Sequence, residues 1–195
     1  MIPRHLLITL ALLLVVVFGL GFYLLHLKSR AEENRAADTR PVEAPVSGTR
    51  TRVTLFVADD AAGLLRERDQ QVTLPPEPSL RAREVLRALL AEYQQKNSSH
   101  PVPAGADVSD VYLVNGNLAV VDLNADFADE HRSGVLVESL TMTSMVQTLS
   151  ANLPAVTQVK FLVEGKERQT LAGHADLSSL YDVAAVRQLV TGLQP

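Results

Sequence analysis

No cysteine occurs anywhere in the 195 residues, and no tryptophan either. The first absence excludes disulfides, thiolate chemistry, cysteine-ligated zinc and a lipid anchor carried on an N-terminal Cys; it also leaves redox compartment unreadable. Aromatic residues make up only 5% of the chain, and a net charge of −4 gives no global attraction for nucleic acid; no basic motif with interleaved aromatics appears. The sequence contains no G-x-S-x-G, no G-x-x-x-x-G-K-[ST], and no H-x-x-x-H among His5, His26, His100, His131 and His174. A nucleophile elbow, a phosphate loop and a helix-borne metal pair are therefore missing as local signatures. No cofactor-binding, catalytic or metal-ligating residue is assigned.

What the chain does have begins at its N-terminus. Leu6 to Leu25 is an uninterrupted run of twenty uncharged residues, LLITLALLLVVVFGLGFYLL. At 1.5 Å per residue such a helix matches the roughly 30 Å hydrocarbon core of a bilayer. It is too long for the apolar region of a signal peptide, and HLKSRAEENR after it offers no small-x-small cleavage site. Residues 6–27 are therefore read as a transmembrane anchor behind a short tail, 1–5, and before a polar, Pro- and Gly-punctuated linker, 28–51. Arg4 alone precedes the span, while Lys28, Arg30, Arg35 and Arg40 follow it, so charge by itself leans towards a cytoplasmic C-terminal domain.

The clearest folding instruction lies between Val108 and Phe127. Asn115-Gly116 separates two apolar runs and tolerates the positive φ angles of a tight hairpin. A two-residue turn there predicts Leu113 opposite Leu118 and Val111 opposite Val120, with Tyr112/Ala119 and Asp110/Val121 on the other face. Further strands are predicted at Arg52–Ala58, at the charged stretch Glu67–Leu74, which suits an edge, at Val156–Glu164, and more weakly at Glu167–Leu171. Ser79 is placed as the cap of a helix to about Gln95, with Ala82, Val85, Leu86, Leu89, Leu90 and Tyr93 on its buried side. Arg81, Arg83 and Arg87 on that helix read as a solvated face in preference to a phosphate patch. A second helix runs from Gly134 to Asn152, and Asp182 caps a short third one bearing Val183, Val186, Leu189 and Val190. The fold class is α+β: a single small domain with one mixed sheet of about five or six strands, covered by two helices.

From Glu138 to Lys160 there are twenty-one consecutive residues without a charge. A helix so neutral is either covered on more than one side by its own fold or turned to a partner. The first reading is the simpler one; the second makes Thr141, Ser144, Gln147 and Thr148 a candidate interaction surface. Charge reversals at Ser144 and Thr148 would then weaken partner capture without unfolding the domain. Asp122-Leu-Asn124-Ala-Asp126 has the opening spacing of a calcium loop, but Phe127 stands where the turn glycine belongs and Ser133 where the bidentate Glu belongs. A strand end passing into a helix cap accounts for it better.

The runs VTLFVADD (Val53–Asp60), PVPAGADVSDVYLVNGNLAVVDLNADF (Pro101–Phe127), SMVQTLSANLPAVTQVKFLVEG (Ser144–Gly165) and LAGHADLSSLY (Leu171–Tyr181) together resemble the GerMN domain, the sporulation-and-germination type domain of bacterial envelope proteins. The resemblance covers 52–181, with 182–195 left as a C-terminal helix and tail. It implies no catalytic residues. It implies a domain outside the cytoplasm, held at the inner membrane by a single span, against the charge count, for which a tail of five residues leaves little to weigh. The expected function is a non-enzymatic, membrane-anchored envelope protein whose domain binds other envelope proteins, copies of itself or cell-wall machinery. The alternative is a peptidoglycan-associated factor: a regulator or enzyme of wall remodelling, or a glycan binder using Tyr93, Tyr112 and Tyr181 in one groove.

Overall fold

The computed structural model describes residues 48–192, within the second of two units into which the chain divides, Met1–Pro45 and Val46–Pro195. The anchor at 6–27 and nearly all of the linker lie outside the described residues. Among the described residues no helix is long and apolar enough to cross a membrane.

Alternating Val53, Leu55 and Val57 build β1 (Thr49–Asp59), whose pattern extends into the predicted linker. It pairs antiparallel with β2 (Leu64–Leu74) along its full length, from Thr49 opposite Leu74 to Asp59 opposite Leu64. Gly63, at φ 67°, closes the turn by donating its N–H to the Asp59 carbonyl at 2.8 Å. β2 starts three residues before the sequence reading because the charges of Arg66 to Asp69 mask its alternation; it does lie at a sheet edge, as charge on a strand predicts.

Helix α1 (Pro78–Tyr93) buries the predicted stripe, but its cap is Glu77 and not Ser79. The Glu77 carboxylate accepts from the N–H groups of Ser79 and Leu80, and Pro78, which has no N–H to lose, takes the first helical position. Arg87 forks onto Asp107 at 2.8 and 3.0 Å, and Arg81 donates to the Pro75 carbonyl, so the basic face is tied into the fold.

The central hairpin joins β3 (Val108–Val114) to β4 (Leu118–Leu123), with Asn115 at φ 52° and Gly116 at φ 79°. Its register is one residue away from the expected one: Val114 faces Leu118, Leu113 faces Ala119, and Val111 faces Val121. Asn117 is the extra residue; its carbonyl is taken by the N–H groups of Thr157 and Gln158, which pull it out of the ladder. Ala119, Val121 and Leu123 consequently face the core and Val120 does not. No atom lies within 4 Å of a Cβ placed on Gly116, so Gly116→Ala meets only the positive φ. It should cost about 1 kcal/mol in a urea titration.

After β4 comes a one-turn helix, α2 (Ala125–Asp129), which the sequence reading treats only as a cap; Asn124 accepts from the Phe127 N–H at 3.1 Å. Then follow α3 (Val135–Asn152), β5 (Gln158–Val163) parallel to β4, β6 (Tyr181–Asp182) antiparallel to β5, and α4 (Val183–Gly192), which Asp182 caps by accepting from Ala185. The stretch Glu167–Leu171 forms no strand; only the bridges Val163–Lys166 and Thr170–Asp176 interrupt an irregular loop.

The described strands form two sheets, not one: a β1-β2 ribbon and a mixed sheet in the order β3-β4-β5-β6. Among the described residues four helices complete the α+β fold: the two long ones and the short C-terminal one that the sequence predicts, and the one-turn α2 that it does not. One apolar core joins both sheets, with Leu55, Leu86, Leu89, Leu123, Phe127, Met145, Leu149 and Phe161 fully buried. Each such side chain contributes roughly 1.5–3 kcal/mol by burial.

Candidate functional site

Helix α3 explains why β1 needs no strand on the edge opposite β2. Its side chains at every fourth position reach the outer edge of β1: Asn152 accepts from the Thr54 N–H at 3.0 Å, Thr148 from the Phe56 N–H at 2.9 Å, and Ser144 meets the Tyr93 hydroxyl at 2.5 Å, which accepts from the Ala58 N–H at 3.0 Å. Four helical residues rise about 6 Å and two strand residues about 6.6 Å, so the two ladders stay in step over three rungs. Asn152 also donates to the Thr54 carbonyl at 2.7 Å. Small alcohols and an amide thus stand in for a neighbouring strand.

This places the candidate surface inside the molecule. Thr141, Ser144 and Thr148 are 0% exposed and Gln147 is 4% exposed, so none of the four can meet a partner. From Leu140 to Ser150 the neutral run is covered by its own fold, with Thr143 alone half-buried. Charge reversal at Ser144 or Thr148 would break the tie to β1 and not a docking contact.

Towards the N-terminus of α3 the polar groups are titratable. The Thr141 hydroxyl is shared by two imidazoles, His100 Nε2 at 2.7 Å and His131 Nε2 at 2.9 Å. His100 Nδ1 lies 2.5 Å from Asp60 Oδ1, Arg132 pairs with the other oxygen of Asp60, and His131 Nδ1 meets the Arg132 carbonyl at 2.8 Å. Burial pushes both imidazoles below the ordinary histidine range, against the opposing pull of Asp60 on His100 and of the Arg132 carbonyl on His131. Asp60 is held below the usual carboxylate range, because the bonds from His100 and Arg132 outweigh its burial.

One turn earlier Glu138, fully buried, accepts backbone N–H groups from Gly134, Ala172, His174 and Ala175 at 2.8–3.1 Å and meets His174 Nδ1 at 2.8 Å. Burial raises its pKa, but the bonds from Gly134, Ala175 and His174 bring it down to about 2. It is the charge at the head of the neutral run, and it anchors the 172–175 loop on the start of α3. A lone carboxylate at such a position is a legible signal. The pairing of His100 with His131 is not, since thirty residues and two strands separate them.

Asp60, His100 and Thr141 stand in the order of an acid, a base and a hydroxyl nucleophile, but the hydroxyl donates its proton to the Val137 carbonyl at 2.9 Å. The hydroxyl is fully buried, and neither it nor His100 lines any of the cavities described below. As arranged, the cluster is a cross-link between the loops carrying Asp60, His100 and His131 and the helix carrying Thr141.

The open features lie elsewhere. An apolar groove of about 220 Å³ runs between β2, α3 and α4, lined by Leu64, Leu65, Leu136, Leu140, Leu189 and Val190. Leu136 and Leu189 on it are 49% and 66% exposed, so α4 presents Leu189 outward although Val183 and Val186 are buried as predicted. A wider cleft of about 610 Å³ lies between the start of α1, the β3-β4 turn and the end of α3. The three tyrosines do not share a groove: Tyr93 is buried, Tyr112 is exposed on β3, and Tyr181 packs edge-on against Phe161. Asp122 accepts from the Gly165 N–H, and Asn124 is spent on the α2 cap, so the calcium-like spacing is used structurally. Among the described residues no group of three or more His, Asp or Glu side chains is arranged to hold a metal ion.

Two sheets, an internally bonded α3 and an apolar groove define a small α+β module. The chain belongs to the Germane family, described as sporulation and spore germination, whose family model matches residues 54–169. Similar solved structures include a proposed lipoprotein from Clostridium perfringens, at 16% identity over 73% of this chain and 93% of that one, TM-score 0.48. The first GerMN domain of the sporulation protein GerM from Bacillus subtilis aligns at 18% identity over 66% of this chain and 94% of that one, TM-score 0.48. The tandem GerMN domains of the same protein align at 21% identity over 67% and 45%, TM-score 0.47. No curated protein matches the chain in sequence.

Proposed function

We propose that this is a non-catalytic, single-pass envelope protein of the inner membrane whose domain lies outside the cytoplasm and docks other proteins. The anchor rests on the uncharged run Leu6–Leu25, and the envelope setting on the family, whose description also makes sporulation or germination the process to examine first. The observation that carries docking is the apolar groove with Leu136 and Leu189 exposed on it, while the polar clusters of α3 are bonded within the domain. Water-exposed leucines that converge on a groove are stabilised when a partner's apolar side chain fills it.

Crosslinking of the full chain in intact cells tests this. Leu136→Asp and Leu189→Asp alter exposed positions and should leave thermal stability within about 1 kcal/mol. They should abolish capture of the partners that the native chain captures. Partners retained at native yield by both variants would remove the groove from the function.

A further inference from the structure

We propose that the outer edge of β2 pairs antiparallel with β2 of a second copy, in a register centred on Gln70, joining two ribbons into a four-stranded sheet. This rests on the reading of the chain as a docking protein but uses the Arg66–Leu74 stretch of β2, whereas the groove takes only Leu64 and Leu65 of that strand.

The edge follows from the ribbon's own hydrogen bonding. The N–H groups of Thr54, Phe56 and Ala58 point to α3, so Val53, Leu55 and Val57 are the β1 residues that bond β2. Their partners are Gln70, Arg68 and Arg66. Alternation then turns the backbone groups of Leu65, Glu67, Asp69, Gln71 and Thr73 away from β1. Among the described residues no backbone group accepts from or donates to these five. Glu67, Asp69, Gln71 and Thr73 are exposed, and the strand has no proline and no bulge against β1. An edge eleven residues long and open on one side is a template for another strand.

Charge selects the partner's register. Two identical antiparallel edges whose outward groups face each other must be centred on a residue. Centring on Glu67 sets Glu67 against itself and Arg66 against Arg68. Centring on Arg68 sets Glu67 against Asp69, and centring on Asp69 sets that carboxylate against its own copy. Centring on Gln70 opposes no like charges: Asp69 faces Gln71, Glu67 faces Thr73, Arg68 faces Val72 and Arg66 faces Leu74. This is the longest overlap free of repulsion, and four outward residues on each copy supply eight backbone hydrogen bonds. The internal ion pairs of Arg66 with Asp59, Arg68 with Glu92 and Arg52 with Asp69 already hold three of the four charges close to their own domain.

The cysteine-free chain makes the test direct. Gln70→Cys puts the new thiol opposite its own copy in a pair without backbone bonds, where side chains approach most closely. Arg66→Cys puts it opposite Leu74. With the full chain in cell membranes under mild oxidation, Gln70→Cys should give a disulfide-linked dimer on a non-reducing gel and Arg66→Cys should not. Sedimentation of the full chain in detergent supplies a second measurement on variants of an exposed position. Gln71→Arg, opposite Asp69, should tighten the dimer, and Gln71→Asp should weaken it, each by roughly two- to thirty-fold. Equal crosslinking at both cysteine positions, no dimer, or identical sedimentation of the two Gln71 variants would overturn the pairing. Absence of the dimer with groove-dependent partners still captured would overturn it while leaving the docking function standing.

Discussion

Replacing Glu138 with alanine should destabilise the domain by about 3–5 kcal/mol, measured as the fall in unfolding free energy in urea at neutral pH. The carboxylate satisfies four backbone N–H groups and meets one imidazole. Alanine removes the acceptor and leaves those donors facing a cavity; each buried N–H without a partner costs about 1–3 kcal/mol, with relaxation and water recovering part of the sum. Glu138→Gln separates charge from shape. It keeps one acceptor oxygen but turns an NH₂ group towards N–H donors, so it should lose less than alanine and more than an exposed Glu→Gln exchange. The 172–175 loop should become protease-sensitive in both variants, because Ala172, His174 and Ala175 are fastened there by this one side chain. A loss under about 1 kcal/mol for alanine would mean that the loop holds its position without the carboxylate.

The sequence showed this anchor only indirectly. Period-two and helical spacings located β1, α1, the hairpin, α3, β5 and α4 because those signals are local and apolar. The hairpin register was missed because it is set by contacts from elsewhere: Thr157 and Gln158 claim the Asn117 carbonyl and shift the pairing by one residue. The division into two sheets was missed for a related reason. A strand edge is counted as open until the element that fills it is known, and here that element is a helix whose Ser144, Thr148 and Asn152 look, in sequence, like a neutral outward face. The same alcohols that mark a helix as a docking surface also mark one that hydrogen-bonds along a strand. A four-residue repeat of small polar side chains beside an alternating strand separates the two readings only when the rungs can be matched in space.

Acidification should weaken the domain in two stages, followed as the thermal midpoint from about pH 8 down to about pH 3 at constant ionic strength. In the first, His100 and His131 have an ordinary value of 6.5 in the unfolded chain and lower values when folded, because burial disfavours the imidazolium. The unfolded state therefore binds protons first, and stability falls as pH drops below 6.5 until the folded imidazoles themselves titrate. The groups facing this pair are Asp60, Arg132, Thr141, Glu138, whose charge acts on His131, and, through ring contacts, Tyr93 and Phe127. Tyr93, pushed up to about 12 by burial, stays neutral throughout the range. In the second stage the carboxylates with depressed values are Asp59, Asp60, Asp69, Glu77, Glu138 and Asp176, of which only Glu138 is fully buried; Glu138 ordinarily titrates at 4.5 and in the fold at about 2, so its contribution is complete above 4.5 and is lost as pH falls towards 2. Glu138→Gln should shift the whole curve down and shallow its acid limb. His131→Asn should shallow the upper stage while leaving the acid limb in place. A midpoint that stayed level between about pH 7 and pH 5 would mean that the two imidazoles are not held neutral by burial, and that the cross-link among these loops rests on the Thr141 hydroxyl and the Asp60–Arg132 pair alone.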